Sequence, residues 1–358
     1  MNTMERSRLL GWTLLLMGAG LIILRSASHH LGWTLVVRQS CWLLVGLGAC
    51  WGARLFNYQR WLDGSLPLYV GCVVLLGLSL VMGRMAHGAT RWLALGPLTF
   101  QPVELAKVAT VLLAARILGD RCAGGQRADW RTVVTLLGIG TIPAGLAFLQ
   151  PDLGSASVFL WIILAMLWVA GVPLRFFGAL VGLAALLLPI GWHVLKAYQR
   201  LRLLTFINPH ADPLGAGYTT IQARIAIGSG GLLGKGWMAG TQSQLNFLPE
   251  RHTDFIFAVM AEELGFVGSV VLLGLFAAWL MEAWRTTYLV RELPGRLLAA
   301  GLTALVGYHV VVNIGMTMGL LPVVGIPLPL ISYGGSAILT TWIAVGLLDS
   351  VRRWGPRF

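Results

Sequence analysis

Asp254 is the side chain in these 358 residues whose type and place best suit chemistry. It closes the run Leu248-Pro249-Glu250-Arg251-His252-Thr253-Asp254-Phe255, after which the sequence turns apolar. A carboxylate there stands where a polar loop meets a helix entering lipid. Ionisable groups at a membrane edge are costly and mark function by default. Such a carboxylate can take the proton of an attacking hydroxyl. The same loop supplies Arg200, Arg202, Lys235 and Arg251 as cations. Arginine grips phosphate with a two-pronged fork, so Arg200 and Arg202 suit a diphosphate. The plainer alternative is that they snorkel toward headgroups from a helix end. Between them and Asp254 lies Gly228-Ser229-Gly230-Gly231-Leu232-Leu233-Gly234-Lys235-Gly236. Its glycines could bare N–H groups to an anion or simply allow a tight fold. It is not a P-loop, because Gly236 stands where Ser or Thr must follow Gly-Lys.

A second group opens another apolar stretch at Phe100-Gln101-Pro102-Val103-Glu104-Leu105-Ala106-Lys107. Proline suits a first helical turn, and a carboxylate there is favoured by the helix dipole. Glu104 and Lys107 then share one face. They either satisfy each other or line a polar cavity with Asp152 of Gln150-Pro151-Asp152-Leu153-Gly154. Carboxylates beside a diphosphate suggest Mg²⁺, with Glu104 and Asp152 as its ligands. Trp92, in Gly88-Ala89-Thr90-Arg91-Trp92-Leu93, is either an interfacial anchor or a surface for stacking a sugar. Pro322, Pro327 and Pro329 precede Ser332-Tyr333-Gly334-Gly335-Ser336, an uncharged turn suited to broken helix over a cavity. The histidines form no His-Glu-x-x-His pattern, and the four cysteines no Cys-x-x-Cys.

The elements that must carry these groups are membrane helices. The chain is 57% hydrophobic and 11% charged, whereas soluble domains carry about a quarter charged residues. Ten stretches read as spans: 9–24, 39–55, 66–83, 103–118, 132–149, 155–171, 175–195, 254–282, 297–318 and 332–351. The expected fold is one all-α bundle over 1–358, elaborated by a long loop at 196–253. The first apolar run resembles a signal peptide but lacks an Ala-x-Ala-like cleavage site, so a retained span is expected. The net charge of +12 reads as membrane topology rather than nucleic-acid binding. Arg6, Arg8, Arg54, Arg60, Arg116, Arg121, Arg127, Arg131, Arg175, Arg285, Arg291, Arg296, Arg352, Arg353 and Arg357 fall in one set of connections. The opposite short loops hold Arg25, Arg38, Arg84 and Arg91. Both termini are therefore expected in the cytoplasm, with the long loop and Asp254 outside.

These motifs together resemble the SEDS family of shape, elongation, division and sporulation proteins. Tyr198-Gln199-Arg200, Asp212-Pro213-Leu214-Gly215-Ala216-Gly217-Tyr218, Gly228-Ser229-Gly230-Gly231, Gly234-Lys235-Gly236 and Pro249-Glu250-Arg251-His252-Thr253-Asp254 carry the likeness. Arg91-Trp92-Leu93, Gln101-Pro102-x-Glu104, Gln150-Pro151-Asp152 and Ser332-Tyr333-Gly334-Gly335-Ser336 extend it over most of the chain. The wording is nearer the rod-shape member than the division member. The resemblance implies a glycosyltransferase of the inner membrane that polymerises lipid II beside a class B penicillin-binding protein, within the cell-elongation machinery. It implies that Asp254 is catalytic and Trp92 sensitive. The competing expectation is a lipid II transporter without chemistry, to which a ten-span bundle with a polar cavity is also open. Ionisable groups crowd one face rather than the midplane, and internal repeats are not evident, which favours the enzyme.

Overall fold

In lipid a backbone must satisfy its own hydrogen bonds, so apolar stretches long enough to span become helices. The computed structural model describes residues 3–356 apart from 83, 87–88, 96–97, 123, 125–127, 196 and 216. Expectations placed on Gly88, Arg127, Ala216 and Arg357 lie outside the described residues, as do those on the side chains of Arg6, Arg84, Ala89, Thr90 and Tyr198. Each of the ten stretches is a helix: α1 (Thr3–Ala27), α2 (Thr34–Leu55), α4 (Ser65–Met82), α5 (Pro102–Arg121), α6 (Trp130–Leu149), α7 (Leu153–Val169), α8 (Leu174–Val194), α12 (Ile256–Leu289), α13 (Leu293–Thr317) and α14 (Gly335–Trp354). Among the described residues, α1, α2, α4, α6, α12 and α13 are long and apolar enough to cross a membrane on composition alone. A short α3 (Tyr58–Asp63) links α2 to α4.

Helices α5 and α13 form the middle of the bundle. Leu112, Leu118, Leu297 and Leu298 pack there with Ile162 and Trp342 of α7 and α14, all sealed from solvent. A central position explains why α5 tolerates charge: Glu104 and Lys107 face protein, not lipid. By contrast α8 is exposed along nearly its whole described length, as a helix bathed in acyl chains should be.

Two features depart from expectation. The connection between α4 and α5 is a small antiparallel sheet, β1 (Arg84–Ala86), β2 (Ala89–Leu95) and β3 (Leu98–Phe100), with Arg84 opposite Trp92 and Leu93 opposite Phe100. The long loop is also largely helical, holding α9 (Ala197–Ile207), α10 (Tyr218–Ser229) and α11 (Thr241–Gln244). Its glycine-rich segment docks on a break in α12 at Gly265, whose φ is 66°. There Lys235 and Gly236 N–H groups donate to the carbonyls of Glu262 and Glu263, each at 3.0 Å. In return Phe266 and Val267 donate to Gly231 and Leu232 at 2.9 and 3.1 Å. The loop thus supplies the partners that the broken helix lacks. A Cβ on Gly234, whose φ is +81°, would lie 2.0 Å from the Glu263 carbonyl oxygen. The glycines serve this close approach, so the amides of Lys235 and Gly236 are spent on α12 rather than offered to an anion.

Candidate active site around Asp254

Asp254 sits one turn before α12, at the end of the bundle where α13 finishes and α14 begins. Its backbone is held through three successive carbonyls. The Tyr333 N–H donates to His252 at 2.9 Å, Ser332 Oγ to Thr253 at 2.6 Å, and Asn313 Nδ2 to Asp254 at 2.9 Å. Asn313, fully buried on α13, also donates to the Ile326 carbonyl at 2.7 Å. The turn between α13 and α14 is thereby tied to the Asp254 turn. Within that turn, Glu250 adopts a left-handed φ of 50°, and its carbonyl accepts from Thr253 and Phe255 N–H. Glu250 Oε2 takes the Thr253 hydroxyl at 3.0 Å. On the far side a Cβ on Gly325 would stand 3.3 Å from Asp254 Oδ2, so bare backbone backs the carboxylate.

Electrostatics single this carboxyl group out. Burial foremost, then the Glu250 carboxylate, push Asp254 up to about 7; Asp152 adds to the rise, while Arg202 and Arg91 oppose it. A half-buried carboxyl poised near neutrality, flanked by two guanidinium groups, can exchange a proton at working pH and favour negative charge nearby. The neighbouring His252 is pulled down by burial; it packs beside Tyr333, ring centroids 6.1 Å apart.

The structure sorts the expected site residues into near and far. Arg202, on α9, faces Asp254, and its Nη1 lies 3.5 Å from the Val323 carbonyl. Arg200, two residues earlier, instead donates to the carbonyls of His193 and Leu195 at 2.8 and 3.0 Å, closing the end of α8. The helix-end alternative describes Arg200. Arg251 points away to Ala27 and Ser243 carbonyls at 2.8 and 2.7 Å, and burial lowers its pKa. Lys235 binds Thr241 Oγ1 at 2.8 Å and the buried Glu262 at 2.7 Å, fastening the glycine segment to α12. Lys107 is 1% exposed, held by Glu104 Oε1 at 2.7 Å and His309 Nε2 at 3.0 Å. Of the two alternatives for the Glu104–Lys107 pair, the structure shows mutual satisfaction, with His309 as a third partner. Trp92, half-buried on β2, leaves the strand on the face opposite Arg91.

The expected metal pair does not fit a cation either. Glu104 is neutralised by Lys107, and Asp152 caps α7, its oxygens accepting from Ser155 N–H at 3.1 Å and Ser155 Oγ at 2.9 Å. Among the described residues no three His, Cys, Asp or Glu side chains converge for a metal. Two participants escaped the sequence reading. Arg91 donates to Gln150 at 3.0 Å and to Pro151, and lies 3.6 Å from Asp152, bringing the α6–α7 corner toward Asp254. Glu250 is the other. Both lie within quoted motifs, and adjacency to Trp92 and Asp254 was the available signal.

Residues 7–354 match the profile of a family described as cell cycle protein, FtsW/RodA/SpoVE. The peptidoglycan glycosyltransferase MrdB of Escherichia coli K12 is 46% identical over 81% of this chain and 78% of its own. The peptidoglycan glycosyltransferase RodA of Treponema pallidum is 34% identical, covering 88% of this chain and 89% of its own. A solved structure of a peptidoglycan synthase complex that coordinates polymerization and crosslinking superposes with TM-score 0.85 at 36% identity, covering 96% of both chains. The rod shape determining protein RodA of Thermus thermophilus superposes at 0.74 with 33% identity and 98% coverage of both.

Proposed function

Because this chain belongs to the FtsW/RodA/SpoVE family of cell cycle proteins, we propose that Asp254 is the general base with which it polymerises lipid II into glycan strands. The chain is a multi-pass membrane protein and a peptidoglycan glycosyltransferase. The observation that carries the assignment is the Asp254 carboxyl, raised to about 7 and faced by Arg202 and Arg91.

The chemistry needs little more. Lipid II already carries its leaving group, a diphosphate on a polyprenyl chain. Asp254 takes the proton of the acceptor 4-hydroxyl as that oxygen bonds to C1 of the donor sugar. The C1–O bond to diphosphate breaks, and its electron pair leaves with the phosphate. Displacement from the opposite face turns an α-linked donor into a β-linked product. Arg202 stabilises the charge that develops on the departing oxygens, while Arg91, bonded to the Gln150 and Pro151 carbonyls and beside Asp152, holds the α6–α7 corner against the site. The Arg distribution supports an orientation with both termini in the cytoplasm and the Asp254 end outside the inner membrane. There a lipid tail can stay in the bilayer while the sugars stand in water. Resemblance to a synthase that couples polymerization to crosslinking supports a class B penicillin-binding protein as partner in wall elongation.

Purified Asp254→Ala protein, given fluorescent lipid II, should make glycan ladders about 10²–10⁴-fold more slowly while eluting as the parent does. Ladders at the parental rate would refute the base assignment. Transbilayer movement of lipid II by the parent without product would favour the transporter.

A further inference from the structure

Helix α2 turns most of its surface outward, and its buried residues are Leu35, Gln39, Gly46, Cys50 and Ala53. Gln39 alone among them carries an amide, and it is 2% exposed. A buried amide is costly unless its donor and its acceptor both find partners. Both find them on one short stretch of backbone. Gln39 Nε2 donates to the Ser332 carbonyl at 2.9 Å, and Gln39 Oε1 accepts the Gly334 N–H at 3.3 Å. These bonds are not needed to seat α2 on α14, because close backbone packing does so further along. A Cβ on Gly46 would collide with the Trp342 ring, and one on Gly346 would lie 2.5 Å from the Cys50 carbonyl oxygen.

The stretch that Gln39 grips is also bonded to the active site. Ser332 Oγ accepts the Leu328 N–H at 2.8 Å, which leaves the hydroxyl proton for the Thr253 carbonyl at 2.6 Å. The Tyr333 N–H donates to the His252 carbonyl at 2.9 Å. Gln39 is therefore two links from the backbone that carries Asp254, one through Ser332 and Gly334, the next through Ser332 and Tyr333. A Cβ on Gly20 of α1 would stand 2.6 Å from the Leu330 carbonyl oxygen, so the same turn has little room to slide. Small freedoms matter at such a site, since a misplacement of about 1 Å can cost about 10²-fold in rate.

We propose that Gln39 is a positioning residue for glycan synthesis: through Ser332 and Tyr333 it fixes the Asp254 turn, so that the carboxyl meets the acceptor hydroxyl in reacting geometry. The inference rests on Asp254 as the base. Gln39 acts only through that turn, whereas Asn313 bonds the Asp254 carbonyl directly from α13.

Steady-state rates of the purified full chain, over a fluorescent lipid II series and a pH series, test the role. Gln39→Met keeps the side chain's length and loses its amide; it should lower kcat about tenfold or more with KM near parental. It should also bring the pH midpoint of turnover below the parental value of about 7, because a loosened turn admits water to Asp254 while Glu250, Asp152, Arg202 and Arg91 stay around it. Ser332→Ala spares both Gln39 bonds and cuts the link to Thr253. It should show the same kcat loss, and it decides the matter alone should Gln39→Met fold poorly. The double variant should lose less than the product of the two single losses. Ser40→Ala, next to Gln39 with its hydroxyl bonded to Val36 within α2, should keep the parental rate. A parental kcat, a fall in kcat matched by a rise in KM, an unmoved midpoint, losses that multiply in full, or an equal loss in Ser40→Ala would each overturn the role. Asp254→Ala assayed alongside separates the two failures. Inactive Asp254→Ala beside parental Gln39→Met sinks Gln39 alone, whereas active Asp254→Ala sinks the base assignment and this inference with it.

Discussion

At the scale of single residues, Asp254 is kept from ionising easily by burial and by Glu250, and that sets its pH behaviour. As the base it works ionised, so turnover should climb as pH rises through about 7. Glu250→Gln removes the like charge and should move that midpoint to lower pH in a pH–rate series; a fixed midpoint would remove Glu250 from the account. Stability runs the other way. From near 3.8 to about 7 the unfolded chain ionises Asp254 while the fold keeps it protonated, so the native state loses stability across that window. Asp254→Asn should therefore melt above the parent at pH 8, with the gap closing near pH 4. Asn313 tests positioning separately. Asn313→Ala frees the Asp254 and Ile326 carbonyls, and should cut turnover about 10²-fold while lipid II affinity stays near parental. Affinity and turnover falling together would indicate a merely structural role. The motif Pro249-Glu250-Arg251-His252-Thr253-Asp254 showed which carboxylate to choose. It could not show that Arg251, three residues away, points at Ala27.

At the scale of elements, the glycine segment and α12 form one interlocked unit. Gly234 and Gly265 lie back to back, a Cβ on Gly265 coming 2.3 Å from the Gly234 nitrogen. Gly234→Ala combines a left-handed backbone with a collision against the Glu263 carbonyl. It should cost about 1–3 kcal/mol from backbone strain alone, read as a lower melting temperature in detergent. Parental melting would mean the segment is not seated in the break. Sequence periodicity could not reveal this joint, because a lone glycine is common inside an apolar run and the loop's glycines are compatible with an anion cradle. The small sheet was hidden for a related reason: β1 and β3 are three residues each, too short to carry a pattern.

At the scale of the whole molecule, burying α5 and α13 in the middle makes charge affordable inside the bundle, and Glu104, Lys107 and His309 occupy that place. A cavity of about 20 Å³ beside Glu104 and His309 has room for about one water. Lys107→Met strands a buried carboxylate and should destabilise the protein by about 3–5 kcal/mol, seen as lost yield and melting temperature. A normally stable variant that no longer binds lipid II would instead make Lys107 a substrate contact. The ten spans, the family and the choice of Asp254 were legible in the chain itself, because lipid imposes length and apolarity locally and the motifs are contiguous. Which cations face Asp254 was decided by folding alone. Arg91, Asp152 and Arg202 approach it from three other stretches and Glu250 from its own turn, whereas Arg200, Lys235 and Arg251 are turned to partners elsewhere. A side chain's direction depends on partners far along the sequence, and no spacing rule records them.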